Sequence, residues 1–413
     1  MSRYLVLCAV VACGGSSTGT AFDAPPADTR QAVDGPPQCA DAAPPTSAID
    51  CTTQSCSPLS ITNDPPSTNS GTFAGLLDPS VAHDPAVSGQ LWLAYSWAHT
   101  VAGTDLQNNP IEMGVIETHL AASSNSGASF GDPAVLWPAV PTLDPEGSGQ
   151  MGMMNSETPS IATITSGSTT TWYGAHLVYF QQAEQGYNPK YGTSWTIHVA
   201  AASSPAALGS AAATVLGVST TAAVYAPNAR LDVLAELPIT QCSVLNNPTL
   251  FTQDGTLYLI VECIAVTGSD GIDAAHSTIQ VFATTPSGAP TSWTWRHAGV
   301  LADHSLAIQL DADTIQQPDV SLARDGTPIL IVSPATLDAG PGGAAVPLGC
   351  AVFDIASIDP PMLARDCADR FVMRSELTGS GWGLCTHDAA MTGGIITAKA
   401  PLSWSLATSG LQP

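Results

Sequence analysis

The sequence predicts an all-β protein: a β-propeller of five four-stranded antiparallel blades, six if one blade is too eroded to recognise, with the ring closed by an N-terminal strand. Three observations lead there. Charged residues make up only 11% of the 413 positions, beside 36 glycines and 33 prolines, a composition that favours strands joined by many turns. A short phrase recurs along the chain at intervals of about 70 to 90 residues, enough for four strands with their loops. The last copy stops near Gly410, before a fourth strand of its own, and a closed ring leaves no open edge. A β-sandwich pair is the alternative, which the phrase spacing disfavours.

Residues 1–13 read as an export signal. MSRYLVLCAVVACGG places Arg3 before a short apolar run that ends in Val10-Val11-Ala12-Cys13, and it resembles a bacterial lipoprotein signal in which Cys13 is lipidated. The run is far shorter than the roughly 20 apolar residues of a membrane span, so any membrane contact is expected only through this N-terminal anchor. The expected location is the cell surface or outer membrane, on the periplasmic or extracellular face. Residues 14–57 are rich in Pro, Ala, Ser, Gly and Asp, with Pro25-Pro26, Pro36-Pro37 and Pro44-Pro45. Such a segment buries too little apolar surface to offset its ordering entropy and is assigned as a tether. Residues 58–413 form the propeller domain.

Acidic residues outnumber basic ones 34 to 10, for a formal charge of -24. That field repels phosphate backbones, which excludes nucleic acid as a partner. Setting aside Cys8 and Cys13, eight cysteines remain: Cys39, Cys51, Cys56, Cys242, Cys263, Cys350, Cys367 and Cys385. An even number in an exported chain reads as up to four disulfides, whose pairing the spacing leaves open. No Cys/His spacing matches a zinc site.

The repeated phrase is a polar residue, proline, alternating apolar residues, a Gly-containing turn, and a second strand rich in Leu, Ile, Val and Tyr. It appears from Asp78 (DPSVAHDPAVSGQLWLAYSW), Thr158 (TPSIATITSGSTTTWYGAHLVYF), Asn247 (NPTLFTQDGTLYLIVE) and Gln317 (QPDVSLARDGTPILIVSP), with a worn copy from Thr386 (THDAAMTGGIITAKA). Asp254-Gly255 and Asp325-Gly326 are hairpin turns. A third strand follows each pair, such as GVIETHLAA from Gly114 or STIQVFATT from Ser277, and the closing strand is sought within residues 58–77. The tryptophans fall at alternating strand positions and are core residues between blades; Trp97 and Trp382, where loops meet strands, could also stack on sugar rings.

Between the third and fourth strands of the first repeat lies Ser123-Ser124-Asn125-Ser126-Gly127-Ala128-Ser129-Phe130. Gly127 supplies a positive φ, Ser123 and Asn125 can bond their own loop, and Phe130 can pack beneath the turn. The stretch resembles the Asp box of sialidases and related propellers, with Asn125, Ser129 and Phe130 in place of its Asp, Thr and Trp; TTPSGAPTSWTW from Thr284 is a looser echo. Sialidases clamp a substrate carboxylate with three arginines. No Arg or Lys lies between Arg30 and Lys190, so sialic acid cleavage is not expected.

In a propeller the inner strands start near the axis, so the residues before each repeated proline should share a funnel. Those are Asp78, Glu157, Asn247, Gln317 and the pair His387-Asp388. Asp78 and Glu157 are the candidate catalytic carboxylates, since a glycosidase needs one group to donate a proton and another to accept or attack. Asn247, Gln317, His387 and Asp388 are candidate ligand-binding residues. Asp78-Pro79-Ser80-Val81 resembles the start of the first blade in five-bladed arabinanase- and xylosidase-type glycosidases, which implies a general base at Asp78. The same resemblance implies a central divalent cation such as Ca2+, or a water, held near His387, and a glutamate acid from the third blade. Here the third blade offers Asn246-Asn247, and an amide has no titrating proton, so Glu157 would have to substitute. Three functions follow: a funnel that binds an extracellular carbohydrate or similar ligand, preferred because the catalytic set is incomplete; a divergent glycoside hydrolase; or an adhesive surface module.

Overall fold

The computed structural model describes residues 47–413 apart from 54–55, 64–73, 106, 146, 184–194, 217, 220–228, 231–241, 243, 268–270, 338–344, 392, 401–402 and 412. The signal, Cys13, Cys39 and residues 14–46 of the tether lie outside the described residues.

The strands pair as five antiparallel sheets of four. Blade 1 is Ala74–His83, Leu91–Thr104, Pro110–Ser123 and Phe130–Trp137. Blade 2 is Met151–Ser166, Thr169–Gln182, Thr196–Ala202 and Ala213–Val215. Val244–Gln253, Thr256–Ile264, Thr278–Thr284 and Arg296–Ala302 make blade 3, and Thr314–Leu322, Pro328–Leu337, Gly349–Ile358 and Met373–Thr378 make blade 4. Blade 5 has Trp382–His387, Gly394–Ala400 and Ser403–Ser409. Its fourth strand is Cys56–Pro58, antiparallel to Ser403–Ser409.

The side-chain alternation of each strand, period two, feeds two cores at once. Leu91, Leu93 and Tyr95 pack with Ile395 and Leu406 of blade 5, whereas Ala94 on the same strand packs with Ile161 and Trp172 of blade 2. Corresponding clusters fill the seams between blades 2 and 3, 3 and 4, and 4 and 5. A separate core on each of the five seams is what a closed ring requires and a two-layer sandwich does not have. Trp137, Trp172, Trp195, Trp293 and Trp295 are buried as expected. Trp97 is half-buried and stacked on His99, with ring centroids 3.8 Å apart.

Ring closure falls slightly before the segment in which the sequence places it. Strands within residues 47–57, read as the end of the tether, are part of the fold: Ser47–Asp50 lies parallel to the outer strand of blade 4, and Cys56–Pro58 completes blade 5. Ile61–Thr62 then continues along the outer strand of blade 1. The unpaired backbone of three outer edges recruits this segment, which its proline-rich composition concealed. A Cys51–Cys56 disulfide ties it together, Cys350–Cys385 joins blades 4 and 5, and Cys242–Cys263 lies within blade 3. Cys367 is also disulfide-bonded.

The turn at 123–130 forms as its residues suggest. The Gly127 N–H donates to Ser123 Oγ at 3.0 Å, the Ser129 N–H to Asn125 Oδ1 at 3.1 Å, and Asn125 Nδ2 to Ser129 Oγ at 2.8 Å. Gly127 has φ +84 and Phe130 is buried.

The seam between blades 1 and 5 carries two further ties. Gly75, at φ +138, lies so close to its partner strand that an added Cβ would sit 1.9 Å from the Trp404 carbonyl oxygen. At the far end, the His83 N–H donates to Asp388 Oδ2 at 3.1 Å and its Nδ1 lies 3.0 Å from the same oxygen. The Asp388 hydrogen bond raises His83 above its ordinary pKa. Burial would raise Asp388, but His83 and the Ala390 N–H outweigh it and hold that carboxyl low.

Gly75→Ala should destabilise the protein by about 1–3 kcal/mol or more, through forbidden φ and backbone clash, in denaturant titration. Gly131→Ala, which meets nothing within 4 Å, should fall within about 0.5 kcal/mol of the parent. The His83–Asp388 pair is charged only between the lowered pKa of Asp388 and the raised pKa of His83, so its contribution is lost as pH rises through the latter. Asp388→Asn should therefore cost up to about 1 kcal/mol at mildly acidic pH, given the half-exposed His83, and less at alkaline pH.

Candidate functional site at the channel mouth

All five inner strands carry the same irregularity. Pairing with the second strand skips after Leu77, Glu157, Asn246, Gln316 and Gly383. The next residue is left-handed in every blade: Asp78 (φ 51), Thr158 (φ 49), Asn247 (φ 46), Gln317 (φ 53) and Leu384 (φ 54). Proline then follows in blades 1 to 4 and Cys385 in blade 5; proline, lacking an N–H, fits where the ladder is interrupted. Asp and Asn take this conformation readily. β-Branched Thr158 is strained by about 1–3 kcal/mol and is held by its N–H donating to Ser96 Oγ at 3.0 Å.

These five bulges surround a cavity of about 40 Å³ lined by Asp78, Thr158, Asn247, Gln317, Asp319 and Leu384, among others. Three expected funnel residues are thereby brought together, Asp78, Asn247 and Gln317. Two expectations are corrected. In blade 2 the equivalent position is Thr158, so Glu157 sits one residue earlier, because the residue directly before the proline takes the left-handed turn. In blade 5 it is Leu384, three residues before His387; with cysteine in place of proline, the sequence phrase aligned to the wrong register.

Glu157 does not line this cavity, but its carboxyl lies within electrostatic reach of Asp78. Tyr179 donates its hydroxyl to Glu157 Oε2 at 2.9 Å, and Asn155 Nδ2 lies 3.4 Å from that hydroxyl and 2.9 Å from Gln181 Oε1. Burial, then the charge of Asp78, pushes the Glu157 carboxyl well above the ordinary range, against the Tyr179 hydrogen bond. Both effects disfavour ionisation of Glu157, so its carboxyl holds a proton to higher pH than an exposed glutamate.

Two further carboxyls escaped the sequence reading. Glu262, on the second strand of blade 3 opposite Asn246, is 2% exposed. It accepts from Asn247 Nδ2 at 2.6 Å, and also from the Gln317 backbone N–H and the Asn246 side chain. Burial, only partly offset by these donors, lifts it to about 7. Asp319 follows the blade 4 proline and accepts from Thr249 Oγ1 at 3.2 Å. Burial raises it to about 6 against donors that include Thr386 and the His387 N–H. The one available signal for Glu262 was a lone acid in the apolar run LIVECI; a charge there is costly unless bonded.

His387 and Asp388 line a second cavity of about 100 Å³ toward the other end of the inner strands, sharing Ser80 and Asp319 with the first. His387 is buried, its Nδ1 2.8 Å from the Gly393 carbonyl oxygen. Since that oxygen only accepts, Nδ1 carries the proton and Nε2, which has no partner, is a bare lone pair. Burial lowers its pKa. Among the described residues no three His, Cys, Asp or Glu side chains gather as metal ligands, so the residues do not fit the cation expected near His387. Both cavities are of the scale of water rather than of a sugar ring.

Five of the arginines are engaged elsewhere. Arg296 pairs with Asp359, Arg365 with Asp369, Arg370 with Asp366, Arg374 with Asp354 and Asp325, and Arg324 donates to the Met391 carbonyl. Among the described residues, no Arg or Lys lines the mouth cavity.

No family model matches the chain, and no curated protein matches it. Among solved structures it is similar to a family 117 glycoside hydrolase produced by the marine bacterium Zobellia galactanivorans, at 11% identity and a TM-score of 0.46, over 85% of this chain and 88% of that one. A native arabinanase of Bacillus subtilis is similar at 13% identity and a TM-score of 0.41, over 82% and 96%. An α-L-arabinofuranosidase of Fusarium graminearum is similar at 12% and 0.38, over 86% of each chain. Likeness of this degree carries no argument about activity, which rests on the chain's own site.

Proposed function

We propose that the protein is an exported glycoside hydrolase, tethered at the cell surface through Cys13, that cleaves a glycan at the mouth of its axial channel. The supporting observation is the unequal pair Asp78 and Glu157. Glu157 retains a proton because burial and the neighbouring charge oppose its ionisation. It protonates the glycosidic oxygen as the C–O bond breaks. Asp78 accepts a proton from the water that attacks the anomeric carbon, so the leaving sugar gains one hydrogen and the cleaved residue one hydroxyl. Tyr179 fixes the acid's orientation. The reading changes the preference drawn from sequence alone, where an incomplete catalytic set favoured binding without turnover.

Binding without cleavage is a second reading, favoured by the amides Asn246 and Asn247 in the third blade. The two separate in one experiment. Asp78→Asn, which suits the left-handed backbone, and Glu157→Gln should each lower hydrolysis by about 10²–10⁴-fold while glycan retention on an array persists. A wild-type rate in either variant rejects the assignment, and retention without hydrolysis by the wild type leaves the binding reading.

The pH profile gives a separate check. Because Glu157 acts protonated, kcat/KM should fall as pH rises through its elevated pKa. In Asp78→Asn the residual activity should lose its alkaline limb at lower pH, since the charge that raises Glu157 is gone.

A further inference from the structure

Four polar side chains form a row on one face of the first two strands of blade 2. Asn155 and Glu157 lie two residues apart on the inner strand, Tyr179 and Gln181 two apart on the second, and Asn155 stands directly opposite Tyr179. The strand period of two turns them all the same way. Gln181 Oε1 accepts from Asn155 Nδ2 at 2.9 Å, the same nitrogen lies 3.4 Å from the Tyr179 hydroxyl, and that hydroxyl donates to Glu157 Oε2 at 2.9 Å. Asn155, Tyr179 and Gln181 are buried, whereas Glu157 is half-buried. The Tyr179 ring is stacked on Trp195, with centroids 4.8 Å apart, and the Trp195 indole N–H donates to the Leu245 carbonyl of blade 3 at 3.0 Å. The ring is held in place, and only its hydroxyl proton can turn.

Asn155 settles which way it turns. Gln181 Oε1 only accepts, so the end of the Asn155 amide that meets it is the NH2, whose second hydrogen can serve the Tyr179 oxygen. A phenol has one proton. With its oxygen accepting from Asn155, that proton goes to Glu157 Oε2. A glutamic acid that accepts at Oε2 carries its own proton on Oε1, the oxygen Tyr179 does not bond. When the acid acts, its O–H bond breaks, a new O–H bond forms on the departing sugar oxygen, and the carboxylate left behind keeps the Tyr179 donor, which favours the charged form. Were the amide reversed, Tyr179 would donate to Asn155 and accept from Glu157, and the acid's proton would face the protein.

We infer that Asn155 is a positioning residue: acting through Tyr179, it confines the proton of Glu157 to Oε1, from which a glycosidic oxygen can take it. This rests on the reading of Glu157 as the general acid.

The test uses the full chain with neutral pentose and hexose oligosaccharides, beside the para-nitrophenyl glycoside of the sugar released. A sugar alkoxide needs the acid's proton in order to leave; para-nitrophenolate does not. Asn155→Asp keeps the shape of the side chain, but its single proton is taken by Gln181 Oε1 and the oxygen facing Tyr179 becomes an acceptor. Oligosaccharide kcat/KM should fall by about tenfold or more, while that of the para-nitrophenyl glycoside should stay within about twofold. In a Tyr179→Phe background, which has no hydroxyl to turn, the same substitution should change neither rate. Proportional loss on both substrates overturns the inference, and so does an equal effect of Asn155→Asp without the Tyr179 hydroxyl, because a structural or purely electrostatic role would act in both cases.

Infrared difference spectra supply a readout that needs neither substrate nor a folded Asn155→Asp. At mildly acidic pH, the carboxylic C=O band that disappears in Glu157→Gln should lie at lower wavenumber in the wild type than in Tyr179→Phe, since a hydrogen bond donated to Oε2 weakens that C=O bond. An unshifted band, with hydrolysis lost in Glu157→Gln, overturns this inference alone. Hydrolysis at the wild-type rate in Glu157→Gln overturns the general-acid reading and this inference with it.

Discussion

One circuit of hydrogen bonds around the axis governs the molecule. The residue after each inner-strand bulge is Ser80, Ser160, Thr249, Asp319 or Thr386, and each side chain reaches the neighbouring inner strand. The Ile161 N–H donates to Ser80 Oγ at 3.2 Å, the Leu250 N–H to Ser160 Oγ at 2.8 Å, and the Val81 N–H to Thr386 Oγ1 at 3.3 Å. Thr249 donates to Asp319, which also accepts the His387 N–H. Inner strands crowd around the axis, and an unmade bond to their buried backbone groups costs about 1–3 kcal/mol. The circuit supplies those bonds, so the blades cannot shift independently.

The polar chemistry of the mouth arises where that scaffold departs from its own rule. Hydroxyls occupy four of the five circuit positions and Asp319 the fifth. Opposite the last residue before the bulge, the second strand carries Ser96 in blade 1, Ser333 in blade 4 and Glu262 in blade 3, each accepting a backbone N–H of the following blade. Each substitution of a carboxyl for a hydroxyl keeps the structural hydrogen bond and adds charge in a buried place, which raises its pKa. Five similar sheets thereby yield an asymmetric centre. The acidic side comes from blades 1 to 4, while blade 5 contributes Leu384 and a neutral histidine.

How much of this was legible follows from the kind of signal involved. Strand periodicity and the Pro-containing phrase report on each blade separately, so the count of blades, the need for an N-terminal closing strand, the turn at Ser123–Phe130 and the mouth positions of Asp78, Asn247 and Gln317 could be read. Register was read less well: Glu157 is offset by one because the left-handed turn falls on Thr158, directly before the proline, and His387 by three because the blade 5 bulge is followed by cysteine, which leaves no mark in the sequence. Glu262 and Tyr179 carry little sequence signal as site residues, since they contact Asn247 and Glu157 from second strands and pairing across a hairpin is a spatial relation. The edge strands at 47–58 were masked by a composition that normally signals disorder.

The strand Cys56–Pro58 joins the last blade to one of the earliest parts of the fold. During synthesis, and again during any passage across a membrane in an extended state, this early segment emerges long before its partner Ser403–Ser409 exists. Blades 1 to 4 can form in turn from local hairpins, but the ring stays unzipped until the final strands arrive, a contact of very long sequence separation and correspondingly slow formation. A chain cut short near its end would leave blade 5 with bare edges, exposing it to degradation or to pairing with other chains. Assembly of the axial mouth is thus tied to completion of the whole polypeptide.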